Sequence, residues 1–233
     1  MPTVYNTIVT VIIAALYDDG DGAIIVSDNM ATFEHPFKKE EIRVEHDDIR
    51  KIFPINDTVT VAYTGNVEFW SEILKEVEQK VHKTDKYEKV RRIIETVYRR
   101  HFIRYLESNV LVFLGFENMK DYNARANKEL PQARIDQIDH QLKTTIATGE
   151  MILVGKDKEV YEIYSLRDPG TLEPNIYGRT IVGSGVISGS APVLLKYRKK
   201  MSKKDVKELL LEAKKLAEQD KGVGKLTQVV ELP

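Results

Sequence analysis

Four strand-like segments precede the first helical pattern in this chain, and this order constrains the fold more than any other feature. Residues 7–17 are β-branched and almost continuously apolar, and a second apolar run at 23–26 follows an Asp- and Gly-rich turn. Residues 51–55 and 58–63 predict a second hairpin after a polar insert at 34–48. Because strands do not alternate with helices here, a doubly wound parallel sheet is disfavoured. The pattern predicts an α+β fold built on antiparallel sheets.

The later segments predict helix pairs that cover these sheets. Apolar residues at a 3.6-residue period indicate the helices, and Ser202 is a predicted N-cap. The predicted helices are 67–80, 87–106, 191–199 and 203–219, and the predicted strands are 151–154, 160–164, 179–182 and 227–232. Residues 107–148 hold an apolar run and a short helix from 131 to 142, but few apolar residues for a core of their own. We therefore expect a single domain over residues 1–233 with an insert at 107–148.

Composition excludes several classes of function. Lys and Arg number 35 against 36 Asp and Glu, a net charge of -1, which argues against non-specific nucleic-acid binding. The absence of cysteine excludes disulfides, thiolate zinc sites and a cysteine nucleophile. The apolar run at 8–16 is too short to span a bilayer and lacks the flanks of a secretory signal, so we expect a cytoplasmic protein with no membrane partner.

Common catalytic and cofactor motifs are missing from the sequence. The five histidines have no ligand spacing, and His82 and His101 are expected on solvated helix faces. The acidic segment 18–22 is predicted to be a plain turn and not a calcium loop. The Gly183-Ser-Gly185 stretch, taken alone, is predicted to be a turn or helix cap and not a phosphate site. No cofactor or metal is expected.

Four polar or small residues stand at strand ends. Thr10 interrupts the first apolar strand, Asp28 ends the second, Lys51 opens the third and Gly65 follows the fourth. Taken singly, each has an ordinary structural interpretation.

Taken together, the segments resemble the opening of a proteasome β-type subunit, and bacterial and archaeal proteasome-like proteins more closely still. The segments that carry this resemblance are 27–32 (Ser-Asp-Asn-Met-Ala-Thr), 50–55 (Arg-Lys-Ile-Phe-Pro-Ile) and 60–65 (Thr-Val-Ala-Tyr-Thr-Gly), followed in family order by 151–155, 168–170, 181–185, 213–217 and 222–224. The resemblance implies a four-layer αββα sandwich of the N-terminal-nucleophile (Ntn) hydrolase superfamily, with two antiparallel sheets flanked by helix pairs.

The resemblance also implies roles for particular residues. Thr10 matches the nucleophile, Lys51 the lysine whose charge lowers the pKa of that nucleophile, and Asp28 the carboxylate that pairs with the lysine. Gly65 matches the residue whose backbone N–H stabilises the oxyanion. Ser184 and Asp220 match the pair that orients the amine of the threonine.

The implied chemistry requires a free α-amine on the threonine, since a peptide nitrogen is not basic. Nine residues precede Thr10, so catalysis needs cleavage between Val9 and Thr10, with residues 1–9 as a propeptide or extension. Proteasome precursors typically carry glycine where this chain has Val9, and family members often carry arginine where it has Met30. Thr7 and Thr3 are weaker alternatives as nucleophile.

Two functions stay open from the sequence. One is a threonine-type peptidase or amidase that cleaves or transfers amide bonds in a peptide or protein substrate. The other is a non-catalytic proteasome-like subunit that retains its extension and has a structural or assembly role. In either case the resemblance implies a homo-oligomer, with a ring among the expected forms.

Overall fold

The computed structural model describes residues 10–34, 41–45, 49–145, 149–167, 169–220 and 222–233. The strands are β1 Val11–Tyr17, β2 Gly22–Asp28, β3 Met30–Glu34, β4 Glu41–Glu45, β5 Ile52–Pro54, β6 Val59–Tyr63, β7 Met151–Asp157, β8 Val160–Arg167, β9 Thr171–Pro174, β10 Arg179–Gly183 and β11 Thr227–Leu232. The helices are α1 Val67–Lys80, α2 Tyr87–Leu106, α3 Met119–Glu129, α4 Gln132–Thr144, α5 Val186–Lys196 and α6 Lys203–Ala217. The α+β class predicted from the sequence is confirmed.

Both large sheets are antiparallel. The first has the strand order β10-β1-β2-β11, and the second has the order β5-β6-β7-β8-β9. Strands β3 and β4 pair with each other in a separate two-stranded ribbon. The two predicted hairpins, β1–β2 and β5–β6, are confirmed with antiparallel register.

Three apolar clusters define how these elements stack. In the first cluster, α1 and α2 cover one face of the second sheet, with Trp70 and Ile94 packed against strand residues such as Leu153. In the second, α5 and α6 cover the first sheet, and in the third the two sheets face each other through side chains such as Ile12 and Ile152. Strands β1 and β2 are consequently buried on both faces, which explains their continuous apolar sequence.

Local sequence signals explain the helix boundaries that were predicted correctly. Helix α1 begins where the Asn66 side chain accepts a hydrogen bond from the Phe69 N–H, and α6 begins where Ser202 accepts one from the Asp205 N–H. Helices α1 and α2 have the predicted bounds because their apolar residues keep one period throughout.

The predicted start of α5 was wrong. The Gly- and Ser-rich stretch predicted as a turn up to residue 190 is already helical from Val186, five residues before the predicted start at Ala191. Gly189 is compatible with the helix because α6 lies against it: an added Cβ would be 3.1 Å from the Ala213 carbonyl oxygen. Close packing between helices therefore overrides the low helix propensity of glycine.

The structure contains elements that the sequence interpretation missed. Strands β3 and β4 lie within the segment predicted as a polar insert, and α3 and β9 occur where no element was predicted. In the 107–148 region, helical turns at Glu107–Leu111 and Val112–Leu114 lead into α3 and α4. Side chains such as Leu111, Phe116 and Ile138 form a small apolar cluster there. The assignment of this region as an insert within one domain stays a prediction.

Several predictions fall outside the described residues. These are the predictions for Thr3, Thr7, Val9 and the turn residue Asp168. Within the described part of the chain, every helix is too short or too polar to cross a membrane.

Candidate functional site

Three of the predicted site residues come together where the two sheets face each other. Thr10 immediately precedes β1, and Asp28 ends β2. The antiparallel register pairs Ile12 with Ser27, so Thr10 and Asp28 lie at the same end of the hairpin. Lys51 immediately precedes β5 and so reaches the cluster from the other sheet. We call Thr10, Asp28 and Lys51 the Thr10 cluster.

Hydrogen bonds connect all three side chains of the Thr10 cluster. The Lys51 ammonium donates to the Thr10 hydroxyl and, at 3.0 Å, to Asp28 Oδ1. The Thr10 hydroxyl donates to the same carboxylate oxygen. Thr10 and Asp28 are fully buried, and Lys51 is 5% exposed. The nucleophile candidate thus has a cation beside its oxygen and a carboxylate that receives its hydrogen.

The carboxylate of Asp28 is also held by backbone amides. Oδ1 accepts from the Val11 N–H at 3.0 Å, and Oδ2 accepts from the N–H groups of Met30 at 3.3 Å and Gly224 at 3.1 Å. Each of these described groups donates, which suits a carboxylate that accepts at both oxygens. These bonds offset the cost of burying the Asp28–Lys51 ion pair.

Ser184 contacts the backbone of Thr10. The Thr10 N–H donates to Ser184 Oγ at 3.0 Å, and Ser184 Oγ donates to the Thr10 carbonyl oxygen at 3.2 Å. The Gly185 N–H reaches the same carbonyl at 3.3 Å. The serine is therefore placed at the atom that would become the α-amine.

Asp220 contacts a different serine. Ser188 donates to its carboxylate through Oγ at 2.5 Å and through its backbone N–H at 3.3 Å. Ser188 lies in the first turn of α5, so Asp220 caps this helix, which directly follows Ser184 and Gly185. Among the described residues, Ser184 is thus in hydrogen-bond contact with Thr10. Asp220 is bonded to Ser188 instead, and it contacts the start of the helix that follows Ser184.

Gly183 fits its position only as glycine. Its φ is +94°, and an added Cβ would lie 2.3 Å from the Thr10 carbonyl oxygen and 3.2 Å from Thr64 Cγ2. This close approach lets β10 pair with β1 at Val11 and brings Ser184 to Thr10. It also leaves the Thr64 side chain packed against Gly183.

Gly65 directly follows Thr64, whose backbone is held by two hydrogen bonds. The Thr64 N–H donates to the Glu150 carbonyl at 2.8 Å, and its own carbonyl accepts from the Trp70 indole at 2.7 Å. Gly65 has a φ of +97°, and the next residue, Asn66, caps α1. The peptide that carries the Gly65 N–H is therefore held in place at the end of β6.

Sequence reasoning missed four groups in this region. Ser188 has no signal that separates it from the other serines of its stretch, and the Gly224 N–H donates from the backbone, which sequence does not reveal. Gln228 accepts from the Lys51 backbone N–H at 3.2 Å, which fixes the chain beside the cluster. Gly183 could have been found, since glycine directly before a candidate site serine suggests a close backbone approach.

A hydroxyl beside a cation and a carboxylate is the kind of group that acyl-transfer chemistry uses, but in this chain Thr10 is fully buried and its nitrogen is a peptide amide. Within the described residues, no group of three or more His, Asp or Glu side chains is placed to hold a metal ion. A scan against protein-family models and a search of curated proteins both found no match to the chain.

Proposed function

We propose that the chain is a threonine-type peptidase or amidase with a proteasome-like Ntn-hydrolase fold. The observation that carries the proposal is the position of Thr10 Oγ1 between the Lys51 ammonium and the Asp28 carboxylate, at the entry to β1. The packing order of helices, sheet, sheet and helices supports the finer fold assignment, an αββα sandwich.

The general base in this proposal is the α-amine of Thr10. In the intact chain its nitrogen is an amide that donates to Ser184, so it has no lone pair available for a proton. Cleavage of the Val9–Thr10 bond converts it into an amine, whose ordinary pKa of about 7.7–8.0 suits a base near neutral pH.

The reaction then follows from the residues around Thr10. The α-amine takes the hydroxyl proton while Oγ1 attacks the carbonyl carbon of a peptide or protein substrate, and the Gly65 N–H stabilises the oxyanion. The C–N bond breaks as the α-ammonium returns the proton to the leaving amine. Water, or a second amine in a transfer reaction, releases the acyl group from Oγ1. Lys51 favours the negative charge that develops on Oγ1.

One observation favours the second candidate, a non-catalytic proteasome-like subunit. Thr10 is fully buried in the chain with residues 1–9 attached, so no substrate carbonyl can reach Oγ1 in that form. Activity therefore depends on removal of the extension, and a chain that keeps it has only a structural or assembly role.

The test compares three proteins: the full chain, a chain produced with Thr10 as its first residue, and that shorter chain with Thr10→Ala. Each is incubated with a threonine-directed electrophile and its intact mass is measured. We expect one adduct on the chain that begins at Thr10 and none on the other two. The proposal fails if the chain that begins at Thr10 is folded and does not react.

A further inference from the structure

Lys214 is a buried charged residue that the proposed reaction does not use. It lies on α6, where the residue is 1% exposed, so its ammonium has lost contact with water. A buried ammonium is costly unless its hydrogens are bonded to acceptors. The partners that the protein provides therefore show what this lysine stabilises.

The Lys214 ammonium has one partner at the C-terminal cap of its own helix and one further along the chain. It donates to Glu218 Oε1 at 2.6 Å, an i,i+4 pair, and to the Lys225 carbonyl oxygen at 2.6 Å. Glu218 is partly exposed, and an ion pair of this spacing forms equally well on a helix surface. The bond to the Lys225 carbonyl is what requires the buried position.

Lys225 belongs to the segment 222–226, which directly precedes β11 and lies against the Thr10 cluster. One residue earlier, the Gly224 N–H donates to Asp28 Oδ2 at 3.1 Å. One residue later, the Leu226 carbonyl accepts from the Asn29 N–H at 3.3 Å. Lys214 thus holds the middle of a segment whose two flanking peptides contact Asp28 and its neighbour.

We propose that Lys214 is a positioning residue for the Thr10 cluster: it fixes the segment 222–226 so that the Gly224 N–H stays on the Asp28 carboxylate. Asp28 accepts from both Thr10 and Lys51, so a shift of this carboxylate displaces the nucleophile and its cation together. The consequence for reaction rate rests on the proposed function, whereas the effect on the segment does not.

The first measurement is amide hydrogen exchange on the full chain with Lys214→Met, which keeps an unbranched side chain one atom shorter and removes its donors. We expect exchange in 222–226 to rise about tenfold, since the segment then opens locally. Glu218→Gln is the matched control, because it leaves the bond to the Lys225 carbonyl and should leave exchange there near that of the unchanged chain. Unchanged exchange in Lys214→Met would overturn the inference. If Lys214→Met does not fold, Lys214→Gln replaces it, with a smaller rise expected.

The second measurement is the rate of reaction with the electrophile, on chains that begin at Thr10. Displacement of a reacting group by about 1 Å costs on the order of 100-fold in rate, so we expect Lys214→Met to react 10- to 100-fold more slowly. Val206→Ala, a buried change on the same helix eight residues before Lys214 that removes no hydrogen bond, controls for general destabilisation and should react at the original rate. Equal losses in both variants would contradict a positioning role. If the unchanged chain does not react at all, the proposed function fails, and the exchange measurement alone decides the role of Lys214.

Discussion

At the scale of single residues, Lys51 is the side chain on which the buried charge of the Thr10 cluster depends. Lys51→Met leaves the fully buried Asp28 carboxylate without its cation. Breaking a buried pair from one side typically costs about 3–5 kcal/mol, so we expect a loss of this size in the free energy of unfolding measured in urea. Lys196→Met is the control, because its pair with Glu212 is exposed and should be worth less than about 1 kcal/mol. Equal losses in the two variants would show that Lys51 has no special electrostatic role.

Gly183 gives a second prediction at the same scale. Gly183→Ala places a Cβ against the Thr10 backbone in a residue with positive φ. Gly115→Ala shares the positive φ, at +85°, but has no atom within 4 Å of the added Cβ. We expect Gly115→Ala to lose about 1 kcal/mol from backbone strain alone, and Gly183→Ala to lose clearly more in urea unfolding. A Gly183→Ala loss no larger than that of Gly115→Ala would contradict the close approach to Thr10.

At the scale of elements, the contact between α1 and α2 shows that the predicted solvent exposure of His101 was wrong. His101, expected on a solvated face, is only 9% exposed and contacts Glu76 Oε2 at 3.0 Å. Burial lowers its pKa below the ordinary value of 6.5. The burial of His101 was not visible in the pattern of α2 alone, because the pattern of one helix does not show which of its residues the neighbouring helix covers.

The lowered pKa of His101 makes the helix pair sensitive to acid. The unfolded chain takes up this proton at a higher pH than the folded chain, so stability from His101 is present above about pH 6.5 and falls as the pH drops below it. We expect the Tm to fall between pH 7.5 and 5.5, and to fall less in His101→Gln, which has no proton to take up. A Tm that drops equally in both proteins would assign the acid sensitivity to other groups.

The predictable elements were those whose sequence carries its own periodicity or cap. Helices α1 and α2 keep an apolar period, and α6 has Ser202 at its start, so each was visible locally. The start of α5 was not, since Gly189 is compatible with a helix only because α6 lies against it. In the site, Thr10, Asp28 and Lys51 are visible as polar residues at strand ends, but the bond from Ser188 to Asp220 and the Gly224 amide depend on tertiary packing.

At the scale of the whole molecule, the site depends on both sheets at once. Thr10 and Asp28 belong to the first sheet and Lys51 to the second, so the Thr10 cluster exists only when the sheets are packed against each other. Loss of sheet packing and loss of the site should therefore be a single event. In urea, we expect reaction with the electrophile to disappear over the same transition as the circular dichroism signal, in a chain that begins at Thr10. Reaction that persists beyond that transition would show that the cluster is not needed.

Assembly is a further prediction for the whole molecule. The resemblance implies a homo-oligomer, and α5 leaves large apolar side chains exposed: Ile187, Leu194 and Leu195. Sedimentation equilibrium should then give a mass several times the 26.7 kDa of one chain. A mass that stays at 26.7 kDa at all concentrations would contradict this prediction.

The central claim is that Thr10 becomes the first residue and acts as the nucleophile. The most direct test is the intact mass of the protein purified from its native host, before and after incubation with a threonine-directed electrophile. We expect a chain that begins at Thr10 and gains a single adduct, and Lys51→Ala expressed in the same host should keep residues 1–9 if the chain cleaves itself. A full-length chain of 233 residues that gains no adduct would contradict the claim.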